Sequence, residues 1–577
     1  MNNSCLLTKG WRNWPALAAA GWMLAWSAPA QTYSVLYTFS GVPGNPDGGD
    51  PSSLTPRPGG GFYGTCVNAG LNGWGDIFQI DNTGTLIPIY SFTNRSPATD
   101  GSNPFAGLEV GTNGWLYGMA QAGGVYGNGT IFAVITNGAF TNLYSFSELS
   151  ADTSVNPVVV TNSDGAMPRC ALTLNTNNGN FYGTLGQGGT NGFGTLFEVT
   201  HSGKVTVLYS FSNEVDGASP DGSLLVYSDG NLYGATYSGG SNGYGTVFQM
   251  TAAGRVTPLY SFTNGVDGAD PQGALIDGQD GQLYGTCAAG GTNGTGTLFK
   301  ITTDGVLTPL YSFGPSTNSF TGEYNADGVS PNLLVLASDG NIYGATQKGS
   351  PGGDGNIFEL TRGGSFSVVY AFTYDQDGGA NGDGANPSSL LQSADGNLYG
   401  TTLRGGSNGF GTFFTIGLPP SITAQPTNQA IGLGDTAIFS LTASGAQSYQ
   451  WQQNNLELTN GTQATLIITN AQIGDAGSYQ AIVTNPNGAV ATVPVTLSIT
   501  NVPVSFLNTP GELLFEGNQF TMQLTDLTGQ GDVVIEASTN LLQWTPIYTN
   551  PSGFGTAYFI DSSVGNYPAR FYRATTP

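Results

Sequence analysis

Side chains able to do chemistry are scarce in this chain, and their spacing is informative. His201 is the only histidine among 577 residues, in the turn-like run Thr200-His201-Ser202-Gly203. A Ser-His-Asp triad or a multi-histidine metal centre would have to use it, and its surroundings favour an exposed turn residue instead. No P-loop or HExxH string occurs, and the many GxG strings lack the strand–helix context that phosphate binding requires. Paired carboxylates for glycoside hydrolysis need no local motif, so a polysaccharide hydrolase or lyase remains the alternative function. The polar pattern that does recur is Asp-Gly-x-x-Pro, at Asp100, Asp164, Asp216, Asp267, Asp327 and Asp383, with DGGDP at Asp47. Such a loop is either a turn in which Asp caps its own backbone or an oxygen-ligand site for Ca²⁺, the one cofactor the sequence suggests. One carboxylate per loop is thin for Ca²⁺, which favours the turn.

A second set of candidates is aromatic. Trp74, Phe193, Tyr244 and Phe410 lie near the tips of GGxNGxG loops, where rings can stack on sugars as pocket aromatics do for many ligands. The competing reading has each ring covering a neighbouring strand edge. Thr295 and Asp354 take the same slot in two other copies, which argues against a uniform sevenfold sugar site.

The elements that must position these residues are repeats. A Tyr-Gly pair falls at Tyr63, Tyr117, Tyr182, Tyr233, Tyr284, Tyr343 and Tyr399, and an LYSF-like run and a GTxF-like run also recur seven times. The best copy, 224–262, holds four strand-sized runs: LLVYS, NLYGAT, GTVFQM and TPLYSF. Asp-Gly-Asn, a two-residue hairpin signal, divides the first two. Four antiparallel strands in about 50 residues, repeated, predict a seven-bladed β-propeller, with a parallel β-helix as the runner-up. The first LYTF run, at 36–39, either completes the last blade or starts the first. Strand parity puts the loop after LYSF and the GGxNGxG loop on one face, and the Asp-Gly-Asn hairpins on the other.

Composition sets the compartment. Gly is abundant at 89 residues, aromatics reach 11%, and charged residues only 9%. Lys9 and Arg12, an apolar run and Ala28-Pro29-Ala30 read as a secretory leader over 1–30. Losing it removes two cations from a chain already at −24. So acidic a chain argues against nucleic acid and anionic lipid as partners, because both need a basic surface. No membrane span is expected in the mature chain, nor a C-terminal anchor. The remaining cysteines, Cys66, Cys170 and Cys287, make no disulfide framework and read as interior thiols.

The unit DGNLYGTT…GGSNGxGT.F…LYSF resembles the tandem repeat called GloVer, found in exported bacterial proteins. The resemblance covers about 33–417. It implies a secreted or surface location and supplies no catalytic residue. Residues 421–499 resemble an immunoglobulin-like domain: Trp451 fits the buried tryptophan, Tyr479 the tyrosine corner, and Ala481 and Leu441 replace the disulfide cysteines. The stretch ASTNLLQWTPIYTN…NYPARFYRA looks like a small β-sandwich module that ends many exported chains.

The expected fold is therefore all-β: a seven-bladed β-propeller followed by an immunoglobulin-like β-sandwich and a small fibronectin-like β-sandwich. The expected boundaries are 1–30 for the leader, 31–417 for the repeats, 418–500 for the immunoglobulin-like domain and 501–577 for the last module. The expected function is secreted or cell-surface, non-catalytic binding of glycan or protein, with a structural surface-layer role as a further alternative.

Overall fold

A computed structural model describes residues 31–575 apart from 94–99, 153–158, 252, 320–321, 351–352, 374–380, 501–504, 507–513, 517, 529–531 and 552–553. The leader expected over 1–30 lies outside the described residues.

Each repeat forms one four-stranded antiparallel sheet in chain order. In the fourth, Leu225–Val226, Leu232–Thr236, Thr246–Met250 and Val256–Ser261 pair in succession. The seventh sheet borrows its last strand: Thr32–Thr38, from the start of the chain, pairs with Thr412–Gly417. The LYSF strand is thus always a sheet edge, and the first copy completes the last sheet.

One contact explains the recurring Tyr-Gly and GTxF together. The glycine pairs directly across the ladder with the phenylalanine, Gly64 with Phe78 and Gly234 with Phe248 among them. A Cβ at any of the seven glycines would lie only 2.2–2.7 Å from that ring. The phenyl rings can therefore lie against bare backbone, and all seven are at most 1% exposed. Burying each contributes about 2 kcal/mol.

Neighbouring sheets are joined by a second recurring device. The residue before the Asp-Gly-x-x-Pro proline has φ of 54–56° in all seven copies, none of them glycine. That left-handed backbone costs about 1–2 kcal/mol. It aims the residue's N–H at the loop-tip carbonyl of the preceding repeat, at 2.9–3.1 Å in every copy. The proline ring then rests on the glycine that follows the tip. A Cβ at Gly194 would meet Pro220 Cδ at 2.7 Å, and one at Gly411 would meet Pro51 Cδ at 2.6 Å. Asp50 N–H donating to Phe410 O (2.9 Å) joins the first repeat to the seventh as the others are joined.

The expected fold class needs correction. Among the described residues backbone ladders stop at the fourth strand of each repeat's sheet and form no closed barrel or propeller, so the architecture is all-β with many small antiparallel sheets. The seven-bladed propeller, with a fibronectin-like sandwich at the far end, is not what strand pairing defines. The physical reason is locality: hairpin turns and strand-sized runs specify pairing within a repeat and are silent on how sheets are arranged about one another.

Behind the repeats, Trp451, Phe439 and Tyr479 form the centre of a separate core, with Ala481 fully buried and Leu441 nearly so. Tyr479 donates to Asp475 O at 2.6 Å, the bond expected of a tyrosine corner. Further on, two small sheets share a core around Leu524, Ile535 and Phe559. Asn485 Nδ2 donates to Leu418 O (2.9 Å), and Ser338 Oγ meets Ser421 Oγ at 2.8 Å. The immunoglobulin-like segment thus abuts the repeats at their Asp-Gly-Asn hairpins, since Ser338 immediately precedes one. Among the described residues no helix is long and apolar enough to cross a membrane.

Candidate functional site

The seven aspartates of Asp-Gly-x-x-Pro all do the same thing. Each carboxylate accepts a hydrogen bond from the tyrosine of its own LYSF-like strand and from a backbone N–H just past that strand. Asp216 takes Tyr209 Oη (3.0 Å), Ser212 N (2.8 Å) and Ser212 Oγ (2.5 Å). Asp267 repeats this with Tyr260 (3.1 Å) and Thr263, as do Asp47 with Tyr37 (3.1 Å), Asp100 with Tyr90 (3.0 Å) and Asp164 with Tyr144 (2.8 Å). Asp327 with Tyr311 and Asp383 with Tyr370, both at 2.7 Å, complete the set and are half-buried where the other five are buried. Burial and the facing carboxylate push the Tyr209 and Tyr260 hydroxyls up to about 12. The carboxylates stand one per repeat, and among the described residues no three His, Cys, Asp or Glu side chains converge as a metal cage. Their geometry is that of a turn clamp.

The loop tips are held by the clamp and its neighbours. Gly44 N–H donates to Gly70 O (2.9 Å) and Gly291 N–H to Gly265 O (2.8 Å), so the loop after LYSF and the GGxNGxG loop meet at one end of each sheet. Trp74, Tyr244 and Phe410 are 42%, 39% and 40% exposed there. Phe193 is half-buried and packs on a core shared by the third and fourth repeats. Phe410 also covers Gly41, where a Cβ would clash with the ring at 1.9 Å. Sequence reasoning missed Tyr126, which is 54% exposed beside Val125, because it stands outside the tip slot that Asn128 fills. It also missed exposed Val215 and Val266, each directly before a clamp aspartate. The immunoglobulin-like segment abuts the opposite end, so it leaves this loop face uncovered.

A cavity of about 650 Å³ is lined by all seven repeats. The residue after each lock proline reaches it: Ser52, Phe105 and Arg169 in the first three, then Asp221, Gln272, Asn332 and Ser388. Asp221 is the one carboxylate among the described lining residues, and burial raises its pKa while Arg169 lowers it. A pair of convergent carboxylates is therefore not found there.

Three other groups were singled out by type. His201 is half-buried rather than exposed, with its ring edge-on to Phe181 (5.1 Å) and Tyr117 (5.4 Å). Cys66, Cys170 and Cys287 are buried and free, and burial pushes their thiols up. Asp76 occupies the position where other repeats have threonine or asparagine. Those threonines donate to the clamp aspartate's own carbonyl, as Thr195 does to Asp164 O at 3.0 Å. Asp76 is 1% exposed, neither oxygen is met in good hydrogen-bond geometry, and burial, opposed by the nearby Ser91 hydroxyl and aided by Asp47, lifts its carboxyl to about 7.

The sequence matches the Gloeobacter/Verrucomicrobia repeat over residues 16–159 and again over 152–326, together more than half its length. The chain belongs to that repeat family. The chain also matches an immunoglobulin domain over residues 419–485. Its sixth and seventh sheets lie beyond the matched region yet carry the same Gly–Phe contacts and proline locks. No curated protein matches it. Similar solved structures include tandem Ig repeats of Dlar, at 16% identity over 20% of this chain and 74% of that one, TM-score 0.14. Another is the Ig1-2 module of the Drosophila receptor protein tyrosine phosphatase DLAR, at 19% over 28% and 97%, TM-score 0.13. At such scores the likeness carries no weight for the fold or function of the repeat protein.

Proposed function

We propose that this is a secreted, non-catalytic binding protein whose loop face holds extracellular glycan. The observation that carries the reading is the set of exposed loop-tip rings, Trp74, Tyr244 and Phe410, on backbones locked from repeat to repeat. Rigid aromatic platforms lose little entropy on binding, and sugars offer apolar faces to them. The leader-like 1–30 and the strongly acidic composition support an exported protein. The immunoglobulin-like segment, set against the hairpin end, serves as a spacer that leaves the loop face free.

Calcium is not required in this reading, because the seven clamp carboxylates already satisfy tyrosine and backbone donors. Purified 31–577 applied to a broad glycan panel, with Ca²⁺ and then with chelator, tests it. Binding that survives chelation and falls at least about tenfold in a Trp74→Ala/Tyr244→Ala double variant is expected. Binding that chelation abolishes would return the aspartates to the role of metal ligands. No binding to any glycan would sink the proposal and leave a protein partner as the better account.

A further inference from the structure

We propose that the seven-repeat cavity is a second binding site, for a small zwitterion such as a free amino acid or short peptide, with Arg169 taking the carboxylate and Asp221 the amine. The seven positions after the lock prolines are structurally equivalent, yet they differ in chemistry. Equivalent positions that served only packing would be free to repeat one residue, as the lock and clamp do. Here one position is cationic, the next anionic, and the one before them aromatic.

Arg169 and Asp221 come from adjacent repeats and are the only charged residues among the described lining. They form no ion pair within 4.0 Å; the ion pairs among the described residues are Asp561–Arg570 and Glu536–Arg573. An adjacent cation and anion that do not bond each other present two separate poles. A guanidinium fork matches a carboxylate bidentately, and a carboxylate accepts from an ammonium. Phe105, 40% exposed, supplies an apolar wall. A volume of about 650 Å³ falls in the range of small-ligand pockets.

The test is calorimetric titration of the full chain with the dipeptide Leu-Leu, its N-acetyl form and its C-terminal amide. Leu-Leu is expected to bind, and either cap to weaken it about tenfold to a hundredfold, since each removes a charge-assisted bond. Arg169→Gln should erase the penalty of the amide cap, and Asp221→Asn that of the acetyl cap. No binding of Leu-Leu, or equal binding of capped and free forms, would overturn the proposal in the unmodified chain, whatever the variants' folding. The Trp74→Ala/Tyr244→Ala variant should bind Leu-Leu as the parent does, so this site and the glycan face fail or stand separately.

Discussion

Two sets of residues in the repeats lie five positions apart in sequence and behave in opposite ways. Asp216 and its six counterparts are one residue type, all held by a tyrosine and a backbone N–H. Asp221 and its six counterparts run through serine, phenylalanine, arginine, aspartate, glutamine and asparagine, and all line one cavity. The first set closes each repeat on itself, and its sameness follows from one geometry recurring seven times. In the second set only Ser52 and Ser388 share partners, each bonding the threonine after its Tyr-Gly pair and the proline carbonyl of the next repeat, and the other five positions carry different side chains. In a repeat protein, departures from the repeat are therefore the better pointer to ligand contacts.

The comparison can be broken most forcefully at the clamp. Asp216→Ala orphans Tyr209 Oη, Ser212 N and Ser212 Oγ in a half-buried setting and should cost about 2–4 kcal/mol in urea unfolding. A loss no larger than that of Asp221→Ala would erase the distinction. Next comes Asp76, the one repeat position where a buried carboxylate replaces a hydroxyl donor. Its carboxyl, raised to about 7 by burial, holds a proton that the unfolded chain has already released. Rising pH therefore erodes stability between about 4 and 7 and leaves it lower above that window. Asp76→Thr should gain about 2–4 kcal/mol at pH 8 and progressively less toward pH 4. A gain independent of pH would show that the carboxylate is not the cause.

A smaller effect is expected at the Tyr-Gly glycine. Gly64→Ala would bring a methyl to within 2.2 Å of Phe78 and should cost about 1–3 kcal/mol by thermal unfolding. The smallest sharpens the other side: Gln272→Ala, at a cavity position, should change stability by no more than about 0.5 kcal/mol. A loss approaching that of Asp216→Ala would move the cavity ring from ligand binding to structure.

Much of the local architecture was legible in advance. Asp-Gly-Asn runs marked hairpins, and the strand-sized runs appear as paired strands in every repeat. Trp451 and Tyr479 fell into a buried core because their spacing encodes a local corner. Other features were hidden. Nothing in Val-Asp-Gly says that the aspartate binds a tyrosine seven or more residues earlier. Tyr126 escaped notice because it stands two residues before the expected slot, although its exposure exceeds that of Trp74.

What the sequence by itself determined is everything carried by short range: the seven four-stranded units, their turns, and the glycine that leaves room for a phenylalanine across the ladder. Backbone sterics and hairpin geometry act over a few residues, so their signature is written in the local order of residues. Only the tertiary structure decided that the residue before each lock proline reaches the preceding repeat. It also decided that the first strand completes the last sheet, and that Arg169 and Asp221 line one cavity without bonding each other. Those relations join residues from about 26 to several hundred positions apart. They follow from how sheets pack, and no local propensity encodes that.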